Sequence, residues 1–199
     1  MPFFSDSGPG GFQPKRKFRF LVTFTELGNL TFMVKSVNKP SYDMTPKEHN
    51  ILNHVFKFPG VVKWKDVSCT FIDAVDPNVG SKFYAALLNA GYVAPINEAA
   101  LVTGVTKVSS TSVLGEVKIK QLDGGGIILP AGSDPGEVVG AVDVTNVVDE
   151  WVLKNAFIKG ITFGEGLDYT SEDLVDIKCD ITYDYAQYFA TPGGVPLAT

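Results

Sequence analysis

The sequence predicts a mainly β protein, a barrel or sandwich of antiparallel strands with one short helix packed on the sheet. Three observations predict it. Residues 174–184 alternate, with Val175, Ile177, Cys179, Ile181 and Tyr183 on one side and Asp176, Lys178, Asp180, Thr182 and Asp184 on the other. Successive strand side chains face opposite sides, so this stretch has one dry face and one wet, net acidic face. Twenty glycines and twelve prolines gather mostly between apolar runs, which marks frequent turns and favours strands. A clear helical stripe occurs at Phe83, Tyr84, Leu87 and Leu88, the spacing of an amphipathic helix.

Composition sets outer bounds. With 199 residues, 45% hydrophobic and 20% charged, the chain reads as one soluble domain able to bury a real core. A formal charge of −5 argues against gripping nucleic acid, because Lys and Arg neutralising phosphate supply most of that affinity. Cys69 and Cys179 each fall on the apolar phase of a strand and read as reduced core thiols. No apolar run approaches the roughly 18 residues of a membrane span. The N-terminus lacks the basic start and apolar centre of a signal peptide, so the reading is a protein soluble and intracellular when made, with no membrane partner.

Taken in order, residues 1–14 read as an irregular arm in which Phe3 and Phe4 precede a glycine-rich hinge. Residues 17–25 alternate with Phe18, Phe20, Val22 and Phe24 on one face, and 30–37 return with Phe32 and Val34; a turn at 26–29 makes the two a hairpin. Residues 38–50 are polar, without periodicity, and hold Pro40 and Pro46, so a projecting loop is expected there rather than a central strand. Residues 51–58 and 67–72 read as strands. Asp76-Pro77 reads as an N-cap with proline in the first helical position, opening a helix over 78–90. A second helical piece around 97–102 is compatible with the alanine-rich sequence, and 116–122 look like a strand. Residues 123–126 and 131–140 are turn-rich around a short apolar run at 127–129. The long arms 150–163 and 173–186 form the closing strand pair, with Trp151, Leu153 and Phe157 on one face and Lys154 on the other. Half-wetted ribbons of this length suit a surface that lines a channel or pairs with another copy.

Catalytic patterns are missing. His49 and His54, five apart across a strand start, are expected not to share a face, and no Cys or acidic cluster joins them as metal ligands. No Ser-His-Asp ordering or G-x-S-x-G elbow occurs. Gly124-Gly125-Gly126 is followed by Ile-Ile-Leu-Pro rather than the Lys-Ser/Thr of a phosphate loop. Asp73, Asp76 and Asn78 lack the downstream Glu of a calcium loop and read as helix-capping residues. Trp64 and Trp151 read as core, with sugar stacking the alternative. The expectation is no enzyme and no cofactor.

The order of elements is distinctive: hairpin, projecting polar loop, a P-G-x-x-x-W-x-D junction at Pro59–Asp66, short helix, long terminal strand pair. It resembles the tail tube proteins of contractile-tailed (myovirus) bacteriophages and related contractile injection systems. The likeness is carried by 18–25 with 30–40, Lys57-Phe58-Pro59-Gly60, Trp64-Lys65-Asp66-Val67, Thr70-Phe71-Ile72-Asp73, residues 151–157 and Asp180-Ile181-Thr182-Tyr183-Asp184-Tyr185, about two-thirds of the chain. Departures are insertions at about 92–115 and 123–149 and the tail 189–199, within one tail-tube domain spanning 1–199.

The resemblance implies a structural virion protein that oligomerises into a ring-shaped barrel. Six copies form a homo-hexamer, and rings stack into the inner tube of a tail, the channel for DNA ejection into the host. It implies partners in the tail sheath, the baseplate or tube initiator and the tail terminator, with assembly in the host cytoplasm. DNA passes through the lumen without specific binding. The lumen-facing candidates it implies are Asp176, Lys178, Asp180, Thr182 and Asp184, with Thr31, Lys35 and Lys154 beside them. An acidic bore repels phosphate. Ring-to-ring contact falls to residues 1–14 and to Pro40, Asp43, Thr45, Lys47 and Glu48 of the loop. Other readings are a tube initiator, the tube of a non-phage injection system and, from a different class, a carbohydrate-binding β-sandwich.

Overall fold

The computed structural model describes residues 14–28, 30–96, 104–123, 147–164, 166–170 and 172–190. Its elements in chain order are β1 (Phe20–Phe24), β2 (Val34–Val37), β3 (Tyr42–Met44), β4 (Lys47–Ile51), β5 (His54–Phe58), β6 (Val62–Trp64) and β7 (Val67–Ile72). After these come α1 (Val79–Asn89), α2 (Lys107–Leu114), β8 (Val117–Leu122), β9 (Val147–Lys154), β10 (Phe157–Thr162), β11 (Asp176–Thr182) and β12 (Tyr185–Phe189). Two four-stranded sheets, ordered β1-β8-β9-β12 and β10-β11-β7-β2, hold the core between them, and β3-β6 and β4-β5 form two small separate sheets. Every pairing among the described residues is antiparallel.

The terminal strand pair forms as expected, but each arm is bent in two. β9 pairs with β12 in one sheet and β10 with β11 in the other. Lys154 faces Tyr185 and Phe157 faces Thr182, so the register runs unbroken through the bend. Asn155 turns the first arm with a left-handed φ of 54°, a conformation that Asn tolerates better than most residues. Its side-chain amide donates to Asp184 at 2.8 Å, and the Asp184 N–H donates to the Lys154 carbonyl at 3.1 Å. The corner is therefore tied from both arms.

Residues 17–25 and 30–37 are not a hairpin. β1 pairs with β8 and β2 with β7, so the two lie in different sheets, joined through a 3-10 turn at Thr31–Met33. Alternation reveals one dry face on each strand; it does not reveal which strand lies alongside, and both dry faces meet the same core. Phe18, placed on that face from sequence, lies ahead of β1 and is 73% exposed.

Residues 38–50 are also not a loop. They are the outgoing side of a long hairpin, in which β3 pairs with β6 and β4 with β5 around a turn at Leu52-Asn53. Every residue of β4 and β5 is exposed, and without a dry face nothing selects an apolar alternation. The prolines keep their expected role, since Pro46 falls in the gap between β3 and β4. At that gap Gly60 is required: a Cβ there would sit 1.9 Å from the Thr45 carbonyl oxygen.

Among the described residues two helices pack on this framework rather than one. α1 matches the expected stripe, but its cap is Asn78, whose side chain accepts from the Ser81 N–H at 2.7 Å, and Asp76-Pro77 precedes it. α2 falls in the stretch that carried no firm sequence signal. Thr106 accepts from the Ser109 N–H while the Ser109 hydroxyl accepts from the Thr106 N–H, a reciprocal box without the usual Glu. The helical piece expected around 97–102, the turn-rich run after Asp123, and the arm and tail up to 13 and from 191 lie outside the described residues.

The core joins Val22 and Phe24 of β1, Cys69 and Phe71 of β7, Ile177, Cys179 and Ile181 of β11, Ile119, Leu153 and Phe83. Phe71 is its hub, with ring centroids 5.0 Å from Phe83 and 5.8 Å from Phe24. Phe71→Ala is expected to destabilise the fold by about 3–5 kcal/mol, whereas Leu52→Ser at the 97% exposed hairpin tip changes stability by less than about 0.5 kcal/mol. Chemical denaturation of the two variants checks both.

Candidate assembly surfaces

The outer face of the sheet β10-β11-β7-β2 collects most of the polar residues singled out from sequence. Alternation along β11 buries Ile177, Cys179 and Ile181 and turns Asp176, Lys178, Asp180 and Thr182 outward. Asp184 is not in that row. It lies past the end of β11 at the bend, where Lys107 of α2 donates to both its carboxylate oxygens at 2.8 and 2.7 Å. Lys154 is likewise turned elsewhere, bonded to Glu116.

The row is mixed in sign. Lys35 of β2 donates to Asp176 at 2.6 Å, and the Ser68 hydroxyl of β7 donates to Asp180. Asp66, just before β7, accepts from Lys159 at 2.6 Å and from the Thr182 hydroxyl at 2.7 Å. Those two bonds, that from Lys159 the stronger, hold the Asp66 carboxyl below its ordinary range, and the same contact raises Lys159. Lys107 and then Asn155 lower Asp184. Sequence alone gave the carboxylates; their partners come from β2, β7 and the β10 bulge, which only the sheet order brings together.

The projecting hairpin is the second surface. Asp43 forms an ion pair with Lys65 at 3.0 Å, and Glu48 one with Lys57 at 3.5 Å. Pro40 precedes β3, Thr45 faces Gly60, and Lys47 stands opposite Phe58. The apolar residues of this arm were missed as contact candidates, although their strand was recognised. Tyr42, Met44, Ile51, Val55, Phe56 and Phe58 are all exposed. Cross-strand partners share a side, and so do residues two apart. The pairs His49–Phe56 and Ile51–His54 therefore put both histidines on one face with Phe56, Phe58 and Ile51, contrary to the sequence expectation. Glu48 and Lys57 occupy the opposite face. At the tip, Leu52 holds a left-handed φ of 53°, unusual for a bulky apolar residue.

At the base of the arm a buried carboxylate was not foreseen. Asp149 of β9, 3% exposed, meets Lys15 and, at 3.7 Å, Lys39. A buried charge needs such partners, and these tie the first described residues and the root of the hairpin to β9. Beside it a groove of about 1200 Å³ runs between β1 and β2, lined by Arg16, Lys17, Phe18, Phe20 and Lys35. An apolar cavity of about 210 Å³ lies between α1, α2 and β10, lined by Ala86, Leu87, Val113, Ile161 and Phe163. Among the described residues no cluster of three or more His, Cys, Asp or Glu is placed to hold a metal ion, and no helix is long and apolar enough to cross a membrane.

Two sheets around one core, a half-wetted outer face and a projecting hairpin make up a fold that this chain shares with solved components of contractile injection systems. Solved structures bear this out. The tube-terminating cap of the anti-feeding prophage shares the fold at TM-score 0.59 and 16% identity, over 96% of this chain and 100% of that one. A chain of the sheath–tube complex of an extracellular contractile injection system, PVC, in the extended state matches at TM-score 0.56 and 16% identity, over 89% and 93%. A chain of the sheath/tube terminator of that system matches at 0.56 and 16%, over 90% and 99%. No protein-family model and no curated protein matches the sequence.

The lowered carboxyls set a pH dependence. Lys154 holds Glu116 below its ordinary value, as Lys159 holds Asp66. A carboxyl lowered in the folded state contributes stability that is present above its unfolded pKa and lost as pH falls through the folded one. The denaturation midpoint is expected to stay level from neutral pH to about 5 and to fall below about 4. Glu116→Gln should lower the neutral midpoint and flatten the acid slope, measured by guanidinium unfolding across that range.

Proposed function

We propose that this chain is a structural tube protein whose copies close into six-membered rings and stack into the inner tube of a contractile injection machine. One observation carries the reading: the sheet β10-β11-β7-β2 is dry inside and polar outside, with β10 and β2 as its edge strands. Edge strands invite further strands, and a closed ring satisfies them without open-ended growth. Joined β2 to β10 around a ring, six such sheets make a continuous wall whose polar faces, with Asp176, Lys178, Asp180 and Thr182, line the bore. Asp184 lies at the rim of that wall.

Asp176 and Asp66 already hold Lys35 and Lys159, so a passing polyanion meets few uncommitted cations and slides without sticking. DNA is the cargo if the machine is a phage tail; the same wall serves a non-phage injection system. Stacking is assigned to the projecting hairpin. A two-stranded hairpin with exposed apolar side chains is marginal alone in water and is completed by a neighbouring copy. Pro40, Asp43, Thr45, Lys47 and Glu48 frame that contact, and Ile51, Phe56 and Phe58 fill it. A sheath outside and initiator and terminator proteins at the ends are the partners of such a tube, and the work done is mechanical rather than catalytic.

A second reading is a tube-terminating cap, supported by the likeness to such a cap over that chain's full length. Negative-stain microscopy of purified protein separates the two. Hollow tubes of uniform bore are expected for a tube protein and single rings for a cap, while a monomer under all conditions contradicts both. Ile51→Ser with Phe56→Ser, both at exposed sites, is expected to leave the denaturation midpoint unchanged, to keep rings and to abolish tubes; normal tubes would remove the hairpin from the contact.

A further inference from the structure

Two cysteines 110 positions apart in sequence face each other at the centre of one sheet. Cys69 of β7 and Cys179 of β11 are direct register partners. Both point into the core, 0% and 1% exposed, and both are free thiols. Directly opposed residues of an antiparallel pair have Cα atoms about 4.5 or 5.5 Å apart, depending on the ladder position. A disulfide accepts roughly 4.4–6.8 Å, so either position suits it. Their Cβ atoms, about 4.5–5.5 Å apart in such pairs, need to close by about an ångström.

We propose that Cys69 and Cys179 form a cross-strand disulfide when the chain folds in the presence of a disulfide oxidant such as oxidised glutathione. The pair is then a redox-set staple across the middle of the sheet. The exchange balances. One cysteine thiolate attacks oxidised glutathione, giving a mixed disulfide and one released glutathione thiolate. The second cysteine thiolate attacks the protein sulfur of that mixed disulfide and releases the second glutathione. Two protons leave the protein, and two electrons reduce the oxidant.

The core decides when this happens. Burial pushes the Cys179 thiol up to about 12 and raises Cys69 as well, with the neighbouring Cys179 and Asp180 adding to the effect. Thiolate is the attacking species, and Phe71, Val67, Ile177 and Ile181 seal the site. The folded dithiol is therefore inert, and the redox state is set while β7 and β11 come together. Once made, the bond closes a loop holding both helices and β8 to β10, a strong restriction of the unfolded chain. The inference rests on register and burial, and it stands whether or not the chain forms a tube.

Thiol titration and intact mass test it. Folded protein incubated with oxidised glutathione at neutral pH is expected to keep both thiols, measured after denaturation. Protein unfolded and refolded in a glutathione redox mixture is expected to lose both thiols and about 2 Da. It should melt about 5–10 °C above protein refolded with dithiothreitol. Where refolding aggregates, cell-free synthesis in the same two redox mixtures gives the same comparison. Two titratable thiols in the oxidant-folded protein, a glutathione adduct, or a disulfide between chains in place of the internal bond overturns the proposal.

Discussion

The bend in the long terminal hairpin is the constraint on which the rest of the structure depends. Because the register of β9–β12 continues into β10–β11, one ribbon supplies an edge pair to each of the two sheets. The dry side chains of both halves, Leu153 before the corner and Ile177, Cys179 and Ile181 beyond it, then meet in a single core. The polar row of β11 has nowhere to go but outward. Loss of the corner bonds among Lys154, Asn155 and Asp184 would free the two halves to realign.

The charges of that face bear on what the proposed bore would conduct. Solvent-exposed ion pairs add little stability, so Lys35–Asp176 and Lys159–Asp66 are better understood by what they do to the surface. They commit lysines that would otherwise seize phosphate, and they leave hydroxyls and paired carboxylates in view. A bore lined in this way works by indifference to its cargo, which suits both DNA and protein payloads. The hairpin arm is built on the opposite logic. Its aromatic face with His49 and His54 is exposed, while Glu48 with Lys57 and Asp43 with Lys65 pair across the strands. The apolar face is thus left exposed.

Much of this was legible in the sequence, and the failures share a cause. The strict alternation at 176–183 reported both the dry and the wet faces of β11, because one side packs on the core and the other meets water; Val175, placed on the dry face from sequence, lies ahead of the strand and is exposed. The α1 stripe was equally clear. Alternation is blind to pairing, however, so β1 and β2 read as a hairpin when they belong to opposite sheets. It is also blind where neither face is buried, which hid β3 and β4 within an apparent loop. α2 escaped because a Thr–Ser box replaces the usual Thr–Glu signature and its serine-rich sequence has weak helix propensity. Asp149 could not be distinguished from a surface carboxylate until Lys15 and Lys39 were brought to it.

Edge-to-edge joining of half-wetted sheets is the central claim, and segment-resolved hydrogen exchange tests it most directly. Assembled protein is compared with monomer obtained by dilution, reading the backbone amides of 34–37 and 157–162. The account predicts that both segments slow together by at least about tenfold on assembly, as open edges gain ladder hydrogen bonds. Exchange at both edges that is the same in assembled and monomeric protein would contradict it.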